Sequence, residues 1–292
     1  MGKGKEGEMA ETHVLEERIK KSYPVLTKSQ KKIAEFILAN PEDVVFLSSR
    51  SLGQKLGVSD ATVVRFSNAI GVSGFSELQR ILQSWLKVKL APSEKLKTTS
   101  TRSRNSVYAE IFKTNLDTLR KTQQEFADSK IEQAIEALNR ARKVFVLGLR
   151  RSHSIAFHLY YNLSHILDNV FLISTAYGLP YDQIVEIGKR DVLVSISFPR
   201  YAKGTEEITR AAKQREATIM AITDHPLSPI GQIADVTLQV SNESPFFFGS
   251  LVSAIVIADC IVGGLSLKHK ARNVNRLKSL EITLRKFGVW LT

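Results

Sequence analysis

GVSDATVVRFSNAIG, residues 57–71, opens on a Gly-Val-Ser turn, runs at helical spacing and stops at glycine. Val63, Phe66 and Ile70 fall at i, i+3 and i+7, a narrow apolar stripe fit for a small core. Asp60, Ala61, Thr62, Val64, Arg65 and Asn68 are left for solvent, and Ser59 stands where a helix wants its cap. A second helix that follows a Gly-containing turn and offers Thr62, Arg65 and Asn68 suits a major groove. Arginine meets guanine bidentately, asparagine meets adenine, and threonine a base edge or the thymine methyl. Ser59, at the helix N-terminus, suits a phosphate.

Working outward, the flanking sequence is also helical. Leu26-Thr27 leads into a helix over 28–39, with Thr27 as its cap and Ile33, Phe36 and Ile37 on one face. Lys31 on that helix is a candidate phosphate contact. Asn40-Pro41 ends it, because the residue before a proline is pushed out of the helical region. A short helix around 51–56 precedes the turn. Another over 76–89 follows, with Leu78, Ile81, Leu82 and Trp85 turned inward. No strand pattern is evident before residue 140.

The charge is unevenly spread over the 292 residues. The net charge is +12, yet residues 1–104 hold 18 basic and 11 acidic side chains (net +7), residues 130–266 hold 13 of each, and residues 267–292 hold 7 and 1 (net +6). A basic first domain behind a neutral middle points to a polyanion, here double-stranded DNA. One cysteine, Cys260, rules out an internal disulfide and fits a reducing, cytoplasmic setting. The polar start lacks the apolar core of a signal peptide. The run 250–267 contains Asp259 and several serines and glycines, so it is expected to be a buried core helix rather than a membrane span.

Residues 91–106, APSEKLKTTSTRSRNS, read as a linker. The expected organisation is a tail over 1–12, a helix-turn-helix domain over 13–90, that linker, and a second domain over 107–292, with a core at 130–266 and a basic helix at 268–292. In the second domain the runs 144–149, 170–174, 192–197, 219–223 and 236–240 are short and apolar, separated by helical ones. That pattern predicts an α/β doubly wound sheet of five parallel strands, which binds ligands beyond its carboxyl ends.

The runs LTKSQKKIAEFILANPEDV (26–44) and LGQKLGVSDATVVRFSNAIGVSGFSELQ (52–79) resemble the N-terminal domain of RpiR-type bacterial transcription regulators. The Leu-Thr start, Ala-x-x-Ile-Leu, Asn-Pro, Gly-Val-Ser-x-Ala-Thr-Val-x-Arg-Phe and Gly-Phe-x-Glu-Leu carry the likeness. The resemblance implies a flavodoxin-like SIS (sugar isomerase) domain after the linker, sensing a phosphosugar or related metabolite. Such domains hold phosphate in a Gly-x-Gly-x-Ser loop after the first strand and a Ser-x-Ser-Gly-x-Thr loop after the third. Here the first reads Gly148-Leu149-Arg150-Arg151-Ser152, with arginine for the second glycine. The second runs from Ser197 through Arg200 and Lys203 to Thr205, with three residues inserted and the middle serine lost. Two readings stay open. Either Ser152, Ser197 and Thr205 still hold an anionic sugar metabolite, with Arg150, Arg200 and Lys203 adding charge, or the site is degenerate and only scaffolds a dimer.

The alternative function is a sugar-phosphate isomerase with a helical appendage, and its best base is Glu243, expected near the start of the last core helix. An acid favourably placed at a helix N-terminus is the preferred account of Glu243, and the expectation is a regulator without catalysis. His153, His158 and His165 lie along one segment with no metal-ligand spacing, so no metal or cofactor is expected. Cys260 reads as core. In the tail, Leu277, Leu280, Leu284 and Phe287 form a stripe that needs covering, which predicts a homodimer or tetramer.

Overall fold

The structure, a computed structural model, describes residues 15, 18–45, 47–89, 96 and 104–290. The tail over 1–12 and most of the linker lie outside the described residues. The chain divides into two units, 1–101 and 102–292.

Among its described residues the first unit holds helices and turns and no strand: α1 Lys28–Ala39, α2 Pro41–Val44, α3 Ser49–Leu56, α4 Asp60–Ala69 and α5 Phe75–Lys89. Thr27 and Gln30 cap α1 reciprocally, the Thr27 hydroxyl accepting from the Gln30 N–H at 3.4 Å and the Gln30 side chain from the Thr27 N–H at 3.0 Å. Asn40-Pro41 ends α1 as expected, but Pro41 also starts α2, because a proline at the first helical position gives up no hydrogen bond. Ile33, Ile37, Leu52, Val63, Phe66, Leu78 and Leu82 are buried together as this unit's core, while Phe36 is only half buried, under the Lys55 ammonium. The Trp85 side chain lies outside the described residues.

The second unit opens with α6 Arg104–Glu125 and α7 Asp128–Arg140, so helix begins inside the stretch expected as linker. β1 Val144–Leu147, α8 His153–Ser164, β2 Val170–Ile173, β3 Val192–Ile196, α9 Lys203–Gln214, β4 Thr218–Thr223 and β5 Val236–Gln239 follow. α10 Val252–Lys268 and α11 Lys270–Lys286 close the chain. The sheet is wholly parallel, in the order β2-β1-β3-β4-β5. Alternate strand residues serve opposite faces. Val146, Val194, Met220 and Leu238 pack under α7, α8 and α10, whereas Phe145, Leu147, Leu193 and Ile219 pack under α9. Burial on both faces is why the strands read as unbroken apolar runs.

The helical runs expected between all strands are present only in part. Residues 174–191 carry two 3-10 turns, Thr175–Tyr177 and Asp182–Ile184, and residues 224–235 carry turns alone. Gly178, Pro180 and Gly188 interrupt the first stretch, and Pro226, Pro229 and Gly231 the second.

At the amino end of β3 sits Asp191, fully buried. Its carboxylate accepts two hydrogen bonds from the Arg142 guanidinium, at 2.9 and 2.6 Å, and one each from the Lys143 and Gly188 N–H groups, at 3.1 and 2.9 Å. Burial alone would raise its pKa, but these partners outweigh burial and hold it below the usual carboxylate range.

α10 buries one face, through Ala254, Ile257, Ala258, Ile261 and Leu265. Its other face exposes Val252, Ile255, Val256 and Leu267, and with them Cys260, which is therefore not core as expected. A helix apolar all round does not reveal by periodicity which side meets the sheet. α10 and α11 meet at a 106° bend, and among the described residues no single helix is long and apolar enough to cross a membrane. The tail stripe is only partly covered by the described residues: Leu280 and Leu284 are half buried, while Leu277 is 44% and Phe287 75% exposed. Arg276 fastens α11 by donating to the carbonyls of Ser164, His165 and Leu167 at the carboxyl end of α8.

Candidate DNA-reading helix and ligand crevice

α3 and α4 form the helix-turn-helix. Gly57 ends α3 at φ +65°, a left-handed conformation that glycine adopts without strain. Gly53 is needed for a different reason: a Cβ there would lie 2.8 Å from the Val58 carbonyl oxygen. The two glycines let the turn close tightly. Ser59 caps α4, its hydroxyl accepting from the Thr62 N–H at 3.2 Å and bonding the Thr62 hydroxyl at 2.7 Å. Arg65 in turn donates to Thr62 Oγ1 at 3.2 Å. Ser59, Thr62 and Arg65 therefore form a ladder along one face, with Asn68 exposed one turn on. Val63, Phe66 and Ile70 are buried beneath it, joined by Ser67, whose hydroxyl donates to the Val63 carbonyl. Lys31 is half buried on α1, its ammonium 5.2 Å from the centre of the Tyr23 ring.

The candidate ligand crevice is the switch point beyond the carboxyl ends of β1 and β3, neighbours in the sheet from which the chain winds in opposite directions. The β1 loop is tight, since a Cβ at position 148 would come within 2.5 Å of the Ser152 carbonyl oxygen. Arg150 occupies φ +55°, the conformation that a glycine favours, and is exposed. Ser152 and Ser197 are buried, at 8% and 2% exposure. The β3 loop lies against the β1 loop, with a Cβ on Gly204 falling 3.0 Å from Leu149. In the first turn of α9, Thr205 is fully buried and its hydroxyl has no hydrogen-bond partner among the described residues. Among the described residues no side chain caps α8 or α9.

The two loops are thus brought together, though not every cation expected there points the same way. Arg200 is exposed. Lys203 pairs with Glu207 at 3.1 Å along its own helix, and Glu207 also accepts from the Tyr181 hydroxyl at 2.8 Å. Tyr201, within the insertion, donates to both oxygens of Asp224 at 2.9 and 3.1 Å, just past β4. Burial raises the Asp224 pKa, against the pull of Tyr201 and Thr223. Spacing in sequence gave no sign of that pair. Arg151, beside the expected Arg150, turns out of the crevice towards Phe248 and Gly249.

Glu243 is not near the start of α10 but nine residues before it, exposed and paired with Lys121 at 2.9 Å. His158 bonds Asp259 at 2.7 Å, and His165 the Tyr161 carbonyl at 2.7 Å. Among the described residues no group of three or more His, Cys, Asp and Glu is placed to hold a metal ion.

The family model for the helix-turn-helix domain of the rpiR family matches residues 13–89, and that for the SIS domain matches residues 137–261. An uncharacterised HTH-type transcriptional regulator of Caldanaerobacter subterraneus subsp. tengcongensis is 31% identical over 240 residues, 78% of this chain and 81% of the relative. The HTH-type transcriptional regulator HexR of Escherichia coli is 25% identical over 273 residues, 92% of this chain and 93% of the relative. Among solved structures, the Vibrio vulnificus NanR protein complexed with ManNAc-6P aligns with 95% of this chain and 100% of that one, with a TM-score of 0.67 and 20% identity, a likeness of fold. The capped α4, the parallel sheet and these relatives agree: the chain belongs to the rpiR family of helix-turn-helix transcriptional regulators and carries a SIS domain behind its helix-turn-helix domain.

Proposed function

We propose that this regulator binds a double-stranded operator in the cytoplasm and changes its operator affinity when the SIS crevice takes up a small anionic sugar metabolite. α4 reads bases through Thr62, Arg65 and Asn68, while Ser59 and Lys31 contact phosphates. Arg150, Ser152, Ser197, Arg200 and Thr205 hold the anion, and Lys203 joins them by exchanging its Glu207 partner for the ligand. A second copy covers the outward faces of α10 and α11, which fixes the spacing of two reading helices on an inverted repeat. The chain works without catalysis, since Glu243, its best candidate base, is solvent-exposed and tied to Lys121.

The observation that carries the ligand reading is Thr205. A fully buried hydroxyl without a partner costs roughly 1–3 kcal/mol, which an acceptor in the crevice offsets. A panel of sugar phosphates and sugar acids, including the N-acetylmannosamine 6-phosphate bound by NanR, tests it by thermal shift. A ligand at 100 times its dissociation constant adds about 2.7 kcal/mol to the unit that binds it. The expected result is a shift in the wild type that Ser152→Ala with Arg200→Ala removes. A panel that shifts neither protein sinks the reading.

A further inference from the structure

Arg151 sits inside the β1–α8 loop but reaches out of it. It donates to the Gly249 carbonyl, and its guanidinium lies 5.1 Å from the centre of the Phe248 ring. Burial pushes its pKa below the usual arginine value, and none of the ion pairs formed among the described residues gives it a carboxylate. A charge held on a carbonyl and an aromatic face, without a counter-ion, serves geometry more than electrostatic pairing.

What it holds is a closed segment. Residues 241–250 contain no helix or strand, and their neck is shut by the Ser250 N–H donating to the Asn242 carbonyl at 2.8 Å. Gly249 approaches that neck so closely that a Cβ would lie 2.7 Å from the same carbonyl oxygen. The segment is also fastened along one face of α6. Asn115 accepts from the Ser250 hydroxyl, Thr118 donates to the Glu243 carbonyl at 3.4 Å, Lys121 pairs with Glu243 at 2.9 Å, and Thr122 accepts from the Ser241 N–H at 3.0 Å. Thr118 and Thr122 are each only 3% exposed. α6 is the helix that the chain enters on leaving the residues that follow the helix-turn-helix unit.

We propose that Arg151 is the positioning residue through which an anion in the 148–152 loop is felt at α6, by way of the closed 241–250 segment. The proposal depends on the crevice being the anion site described above. Arg150 and Ser152 flank Arg151 in a tight loop, so their settling onto an anion would carry Arg151 with them. The planar guanidinium passes that displacement to Gly249 and Phe248. The segment, shut at its neck, moves as one body and shifts or stiffens its four contacts on α6. A ligand biases the helix-turn-helix unit by this route only as far as it prefers one arrangement of α6 over another.

Hydrogen exchange on the full chain, with inorganic phosphate as the probe, tests this. In the wild type, phosphate at ten times its dissociation constant slows exchange roughly tenfold in 148–152, in 241–250 and in the 115–125 part of α6, where opening requires ligand release. In Arg151→Ala the slowing is confined to 148–152. Arg151→Lys, which keeps a donor for the Gly249 carbonyl, restores it at α6. Lys121→Met, at an exposed position, cuts the far end of the route and also spares the loop. The phosphate-dependent difference is the readout, because a merely structural loss raises exchange with and without the anion alike. No slowing at 148–152 in the wild type overturns the crevice and the coupling together. Slowing there without slowing at α6 overturns the coupling alone. Slowing at α6 that survives Arg151→Ala removes Arg151 from the route.

Discussion

On the proposed function, Arg65 would enter recognition already oriented, because Thr62 accepts its hydrogen bond and Ser59 holds Thr62. Arg65→Ala should cost roughly 1–3 kcal/mol in operator affinity and relax preference at one base pair, whereas Lys31→Ala should weaken all sequences alike. A gel-shift titration in which Arg65→Ala binds the operator as the wild type does would show that α4 is not the reader. Arg150 sets a different balance at this scale. A non-glycine residue in the left-handed region stores roughly 1–2 kcal/mol, part of which glycine would return through its looser unfolded chain. Arg150→Gly should therefore leave the melting temperature unchanged or raised while weakening anion binding. A clear loss of stability in calorimetry would mean that Arg150 is a packing residue.

At the scale of elements, two carboxylates mark the two ends of the sheet. Asp191, at the amino end, has a depressed pKa, so its stabilisation is complete above the unfolded value of about 3.9 and is lost as pH falls through the folded one. Asp191→Asn should cost roughly 1–3 kcal/mol at neutral pH, chiefly for the hydrogen bonds it loses because Arg142 stays part-exposed, and the gap to the wild type should narrow in acid. Asp224, at the carboxyl end, has a raised pKa, so its sign is opposite and its contribution fades as pH rises through the folded value. Asp224→Asn should then be neutral or stabilising at pH 7, and urea melts across pH separate the two cases. Much of this scale was legible in the sequence. Five apolar runs marked five strands, Thr27 and Ser59 marked two caps, and the GVS turn marked the start of the second helix of the helix-turn-helix. The 174–191 and 224–235 connections were not, because their prolines and glycines sat within stretches still apolar enough to pass for helix. Nor were Arg151 and the Tyr201–Asp224 pair, whose partners are supplied only by distant segments.

For the whole molecule, the charge excess at both ends of a neutral middle implies a division of labour between the units. A 104–292 fragment, begun where α6 begins, should sediment as a dimer and keep ligand binding, while 1–90 alone should hold the operator weakly. Ser152→Ala with Arg200→Ala should abolish the response to ligand and leave basal operator affinity intact, as read by fluorescence anisotropy. A monomeric fragment, or a double variant that loses both properties at once, would break the modular picture.

The exposure of Cys260 turns the chain's one thiol into a clock. It lies on the α10 face assigned to the second copy, and its pKa is raised by burial and by neighbouring Asp259, so only a small thiolate fraction reacts at any moment. Alkylation should run well below the rate of an unstructured peptide at high protein concentration, then quicken on dilution as subunits part. A rate equal to the peptide's at every dilution would mean that nothing ever shields that face.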